Sequence, residues 1–168
     1  MKVLPRSLAV LSALALAAGF VAPAQAETFK MPEKKPVVAV TLPDSWKPEE
    51  TDDGVQGQSP DGVVYLAVEA TRSEKGINSI IDSTFEMFKE HKVEVDKDTK
   101  KTNKLQIAGQ DAEEMLFSGK DEDGAATISI TLFTVKDTVI VISYWATTSK
   151  EEKQSAAIGK IVSSIKAL

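Results

Sequence analysis

Residues 139–146, Val-Ile-Val-Ile-Ser-Tyr-Trp-Ala, are apolar in both phases of a two-residue repeat. Successive side chains of an extended chain point to opposite faces. Val139, Val141 and Trp145 therefore line one face, and Ile140, Ile142 and Tyr144 the other. A strand of this kind needs an apolar layer on each side, which makes it central in a sheet that is covered above and below.

The remaining elements are read as the sheet and its coverings. Residues 126–135 alternate Ile128, Ile130 and Leu132 with Thr127, Ser129 and Thr131, the pattern of a strand with one face more buried than the other. Residues 37–42 and 63–70 read as strands, and 43–48 as a turn. Between Asp52-Asp53-Gly54 and Ser59-Pro60-Asp61-Gly62 lies a further short strand. Residues 105–107 and 112–117 read as a hairpin around Ala108-Gly109-Gln110, whereas 93–104, strongly charged, predicts an exposed edge strand or a loose connection.

Ile77, Ile80, Ile81, Phe85 and Phe88 recur at helical spacing over residues 77–92, opposite Asp82, Glu86, Lys89 and Glu90. A second helix is expected from Ser149, where Ser149-Lys150-Glu151-Glu152 has the spacing of a capping box, and Ile158, Ile161, Val162, Ile165 and Leu168 continue it along one stripe to the end. Together these elements predict an α+β fold: a largely antiparallel, twisted sheet of six or seven strands with helices on both faces, an α/β/α sandwich.

Ahead of this domain, Lys2 and Arg6 precede an uncharged run over residues 8–22, and Pro23 stands before Ala24-Gln25-Ala26. That is the layout of a secretory signal peptide over residues 1–26, cleaved after Ala26. A spanning anchor needs ~20 apolar residues, more than the run supplies, and a lipid anchor needs a cysteine, which the chain lacks. The expected product is periplasmic or secreted, with no stable membrane anchor after cleavage. Residues 27–36, where charge is mixed with Pro32 and Pro36, read as a flexible lead-in to a single domain over 37–168.

Removing residues 1–26 of the 168 leaves 142, enough to bury a core without disulfides. Without cysteine, thiol catalysis and thiolate metal sites are excluded. Loss of Lys2 and Arg6, the only charged residues before Glu27, takes the net charge from −5 to −7, which opposes binding to nucleic acid or anionic lipid.

Val40-Thr41-Leu42-Pro43-Asp44-Ser45-Trp46 near the start, and Tyr144-Trp145-Ala146 before a terminal helix, resemble the PsbP/DcrB-like superfamily over most of residues 37–168. The resemblance implies a sheet flanked by helices, in a scaffold whose members are mainly non-catalytic binding and accessory proteins with unrelated roles. It carries over no binding residue, because shared fold does not select a function.

His91, the only histidine, falls at the end of the first predicted helix, where an imidazolium interacts favourably with terminal carbonyls. A catalytic triad or a histidine metal cluster has too little material here, and neither a catalytic residue nor a cofactor is assigned. Asp121-Glu122-Asp123-Gly124 lacks the later ligands of a calcium loop and reads as a hairpin turn. Asp52, Asp53 and Asp61 share a cation only if the intervening strand brings them together, and turn chemistry explains the same letters.

Lys97, Lys100, Lys101 and Lys104 form a basic cluster in an acidic chain, suited to an acidic partner, to a lipid headgroup, or to guarding a sheet edge against unwanted pairing. Trp46 and Trp145 lie near strand ends, where a large aromatic lines a pocket or closes the core. The resulting expectation is a non-catalytic interaction or accessory module of the cell envelope, with an envelope protein as partner. The alternative is a binder of a small ligand or divalent cation, built on Trp46, Asp52, Asp53 and Asp61.

Overall fold

Among the described residues the apolar periodicities resolve into two sheets and two helices. The structure is a computed structural model, and it describes residues 25–168. The predicted signal segment, apart from Gln25 and Ala26, lies outside the described residues. The strands are β1 (Ala26–Met31), β2 (Val38–Pro43), β3 (Glu49–Glu50), β4 (Gly54–Gln58), β5 (Val64–Thr71), β6 (Glu94–Ile107), β7 (Gln110–Asp121), β8 (Gly124–Val135), β9 (Thr138–Thr147) and β10 (Lys166–Ala167). The helices are α1 (Glu74–Glu90) and α2 (Ser155–Ser164), with 3-10 turns at Asp44–Trp46 and Glu151–Gln154.

Seven strands form the main sheet in the order β3-β4-β5-β9-β8-β7-β6, every pairing antiparallel. The doubly apolar strand β9 lies between β5 and β8, as its sequence requires. Tyr65 on β5, Trp145 on β9, Ile128 on β8 and Phe117 on β7 are cross-strand partners and share one face. Phe88 of α1 packs there. On the opposite face Val64, Leu66, Ile140 and Ile142 pack against β2 residues Val38, Val40 and Leu42, and against Ile161 and Ile165. A buried hydrogen bond between Thr84 of α1 and Ser143 of β9, 2.9 Å long, fixes the first layer to the sheet.

α1 begins three residues before the predicted start. Ser73 is its N-cap, its hydroxyl accepting from the Gly76 amide at 3.0 Å. Its amphipathic face buries Ile80, Thr84 and Phe88, and His91 occupies the C-cap, as expected.

Three sequence expectations are corrected. Residues 27–36 are not a flexible lead-in throughout: β1 pairs with β2 from Ala26↔Pro43 to Met31↔Val38, because Phe29 and Met31 alternate inward and are buried. Pro32 and Pro36 fall in the loop that follows. The capping box at Ser149 does not form, since no side-chain bond caps either turn there. The Glu151 carboxylate instead accepts from the Tyr144 hydroxyl at 2.5 Å.

Nor does the last helix run to Leu168. It stops at Ser164, whose hydroxyl accepts from the Thr41 amide at 2.8 Å, and the chain then extends so that β10 pairs with β2. The second covering layer is consequently α2 together with the three-stranded sheet β1-β2-β10.

Candidate functional site

The charged stretch after α1 takes the edge-strand alternative. β6 borders the main sheet, and every residue from Glu94 to Gln106 is exposed or half-buried. Its ladder with β7 is interrupted. Asp96 pairs with Ser118, and the next pair is Lys101 with Leu116, so residues 97–100 bulge outward opposite Phe117. Side-chain bonds to the backbone hold the bulge: Asp96 Oδ1 accepts from the Asp98 amide at 3.1 Å, and the Thr99 hydroxyl donates to the Asp96 carbonyl at 2.6 Å while accepting from the Ser118 amide at 2.9 Å.

The bulge divides the four predicted lysines. Lys97 turns to the α1 side, its ammonium 4.6 Å from the centre of the Phe85 ring. Phe85 in turn meets Phe88 and Phe117 edge-on at 6.2 Å. Lys100, Lys101 and Lys104 stay exposed along the border. Ion pairs among the described residues involve Arg72, Lys89, Lys92 and Lys150, and none of the β6 lysines. Lys104 lies opposite Glu113 without an ion pair, and Glu114 accepts from Asn103 at 3.0 Å instead.

Beside this border, on the face covered by α2, a groove of about 350 Å³ opens over the outer strands. Leu105 and Leu116 form its floor, Ile158 and Val162 its wall, and the Tyr144–Glu151 hydrogen bond closes one end. Burial, then the hydrogen bond and negative charge of Glu151, push the Tyr144 hydroxyl well above its usual pKa. Val162 is 37 % exposed, one of the few large apolar side chains in solvent among the described residues. The apolar stripe of α2 announced this residue, but its pairing with Leu105 and Leu116 depends on how far α2 covers the sheet.

Trp46, Asp52, Asp53 and Asp61 are not gathered in one place. Asp52 and Asp53 sit in the turn between β3 and β4, and Asp61 in the turn between β4 and β5, at opposite ends of β4. Five residues of strand span about 17 Å. No group of three or more potential metal ligands is found among the described residues.

Asp61 and Trp46 do share a cleft of about 640 Å³ beneath α2, with Ala157, Lys160 and Ile161 on its other wall. Hydrogen bonding from Ser59 first, then from Gln154 and the Val63 amide, outweighs burial and holds the Asp61 carboxyl below its ordinary pKa. The Gln154 bond, 2.8 Å long, ties the β4–β5 turn to the base of α2.

Trp145 and His91 form a third feature. The imidazole lies 5.8 Å from the Trp145 ring centre, and Tyr65 stacks on Trp145 at 6.4 Å. Asp121 receives the Trp145 indole N–H at 3.2 Å and the Thr147 hydroxyl at 2.6 Å. Burial pushes its carboxyl up, but these donors and the amides of Asp123 and Gly124 together hold it below its usual value. Asp121 is therefore a structural acceptor in the β7–β8 turn, where the hairpin was expected.

No protein-family model matches the chain, and no curated protein does. Solved structures do. A two-sided antiparallel sheet, with a helix on one face and a helix and small sheet on the other, defines a PsbP-like α+β fold, the one the sequence resemblance implied. The chain is similar to cyanobacterial PsbP (CyanoP) from Synechocystis, with a TM-score of 0.53 and 11 % identity, covering 90 % of this chain and 98 % of that one. It is also similar to a structure from Bacteroides thetaiotaomicron, with a TM-score of 0.50 and 13 % identity over 78 % of this chain. That match spans only 45 % of the Bacteroides chain. At these identities the likeness is one of fold.

Proposed function

We propose that the protein is a non-catalytic extracytoplasmic module, periplasmic or secreted, that meets a protein partner of the cell envelope along β6. One observation carries this reading: Lys100, Lys101 and Lys104 stand exposed and without ion pairs on a sheet border, in a chain whose net charge is negative. Like-signed lysines repel other basic surfaces and leave acidic ones as preferred company. The charged start of the sequence, its uncharged run and Ala24-Gln25-Ala26 support export. Among the described residues no helix is long and apolar enough to cross a membrane.

A photo-crosslinking residue at Lys104, compared with one at Glu49 on the opposite border, tests this in a native envelope fraction. A discrete adduct from the β6 position alone, reduced in Lys100→Glu/Lys101→Glu, is the expected result. Adducts from both borders alike, or from neither, overturn it.

A second reading rests on the cleft beneath α2, where Trp46 and Asp61 meet. A small ligand held there raises the melting temperature, and Ala157→Phe, which fills the cleft, abolishes that rise.

A further inference from the structure

We infer that β6 receives an extended acidic segment of its partner as an added strand, over residues 101–107, with an apolar side chain of that segment seated in the groove beside α2. This rests on the proposed role of the lysine border and specifies how it is used. Beyond the bulge the ladder of β6 is regular, pairing Lys101 with Leu116 through to Ile107 with Gln110. Ala108 and Gly109 have φ of 54° and 75°, so a two-residue turn of positive φ closes the hairpin. The pair flanking such a turn exchanges both of its hydrogen bonds, and alternate residues face away from the partner strand. Alternation from Ile107 therefore leaves the N–H and C=O groups of Thr102, Lys104 and Gln106 directed outward from the sheet.

Side chains give this edge a readable pattern. Lys101 shares the face of Leu116, on the α2 side, and Lys104 shares the face of Glu113, on the α1 side. Asn103 and Leu105 continue the face of Lys101 on the α2 side, next to the groove of Leu116, Ile158 and Val162. An incoming strand thus meets a cation on each face, three residues apart, and an apolar slot between α2 and the border. The matching segment carries a carboxylate opposite Lys101, another opposite Lys104, and an aliphatic side chain opposite Asn103 or Leu105. Lysine on an edge excludes basic strands, while backbone pairing with side-chain pockets is how strand addition obtains both affinity and selectivity.

The test uses a capped peptide containing Val-Glu-Val-Thr-Glu, which runs antiparallel to residues 101–105, and its counterpart with Lys in place of Glu. Saturating acidic peptide should slow amide exchange at Thr102, Lys104 and Gln106 at least about tenfold, and leave the edge strand β3 unchanged. Lys101→Glu/Lys104→Glu should lose that protection and gain it with the basic peptide. Val162→Asp, on the exposed side of α2, should weaken the acidic peptide about tenfold, and Lys166→Glu, remote from the groove, should not.

Equal binding of both peptides, or binding that leaves those three amides unprotected, overturns strand addition. So does vesicle binding by wild type, on anionic phosphatidylglycerol membranes, that Lys101→Glu/Lys104→Glu abolishes in the absence of peptide affinity. A β6 crosslink in the envelope combined with unprotected amides sinks strand addition alone, whereas absence of the crosslink sinks the wider reading.

Discussion

β9 and β6 belong to one sheet, separated by β8 and β7, yet they are built on opposite principles. From Ile140 to Thr147 every residue of β9 is buried except Tyr144, which is half-buried, whereas β6 buries only Ile107 at its end. One strand is held by two apolar layers. The other keeps its place through backbone pairing, a bonded bulge and the Lys97–Phe85 contact. Burying both faces locates most of the stability in the first, and that leaves the second free to carry charge and change its surroundings at small cost to the fold.

The sharpest way to break this contrast is to truncate β9. Ile140 has no solvent exposure, and Ile140→Ala should cost about 2–5 kcal/mol, seen as a lower midpoint in urea at unchanged slope. A loss below about 1 kcal/mol would place the stabilising core elsewhere. Thr84→Val probes the polar tie between α1 and β9. It keeps the volume and strands the Ser143 hydroxyl, so about 1–3 kcal/mol should be lost.

Glu69 sharpens the comparison from within the buried strands. Burial, then the negative charge of Asp53, push its carboxyl up to about 7, against a hydrogen bond from Thr51. An unfolded chain releases this proton near 4.5. Between those values the native state holds a proton that the unfolded state has lost, so stability is full below the lower value and falls as pH rises through the upper. Glu69→Gln should flatten that slope and stabilise the protein at pH 8 by about 1–2 kcal/mol, allowing for solvent screening, with little change at pH 4. An unaltered slope from paired denaturation series would show that Glu69 is not its source.

The smallest effect belongs to the border. Lys101→Glu/Lys104→Glu should move stability by less than about 0.5 kcal/mol, since both side chains are exposed and unpaired, while removing the strand addition proposed for β6. A substantial loss of stability would mean that these lysines support the fold.

Much of the first region was legible in sequence because its signals are local. The double apolar phase of residues 139–146 placed β9, the Ile128/Ile130/Leu132 alternation placed β8, and the Ile77–Phe88 spacing placed α1 to within three residues. β1 was obscured because Lys30, Glu33 and two prolines surround the inward pair Phe29 and Met31. The Ser149–Glu152 spacing misled because these residues lead into a 3-10 turn, and α2 begins only at Ser155.

The candidate site was half visible. Its lysines stand together in sequence, but the sequence does not show that the Asp96/Thr99 bonds shape a bulge that lays Lys97 against Phe85 while Lys100, Lys101 and Lys104 stay on the border. The groove needed several strands to meet α2, so no single segment carried its signal. Trp46 and Asp61 share a cleft only because α2 closes over them, while β4 holds Asp52 and Asp53 away.

The small sheet sets a timetable. β2 takes one partner from the beginning of the described chain and the other from its last residues, and Ser164 reaches Thr41 across 123 positions. Local pieces such as the β6–β7 hairpin can close early, whereas long-range pairing is slow to form. During synthesis, β2 lacks its β10 partner and the covering of α2 until residues 155–167 arrive, and this interval is when the chain is most exposed to aggregation or to a chaperone.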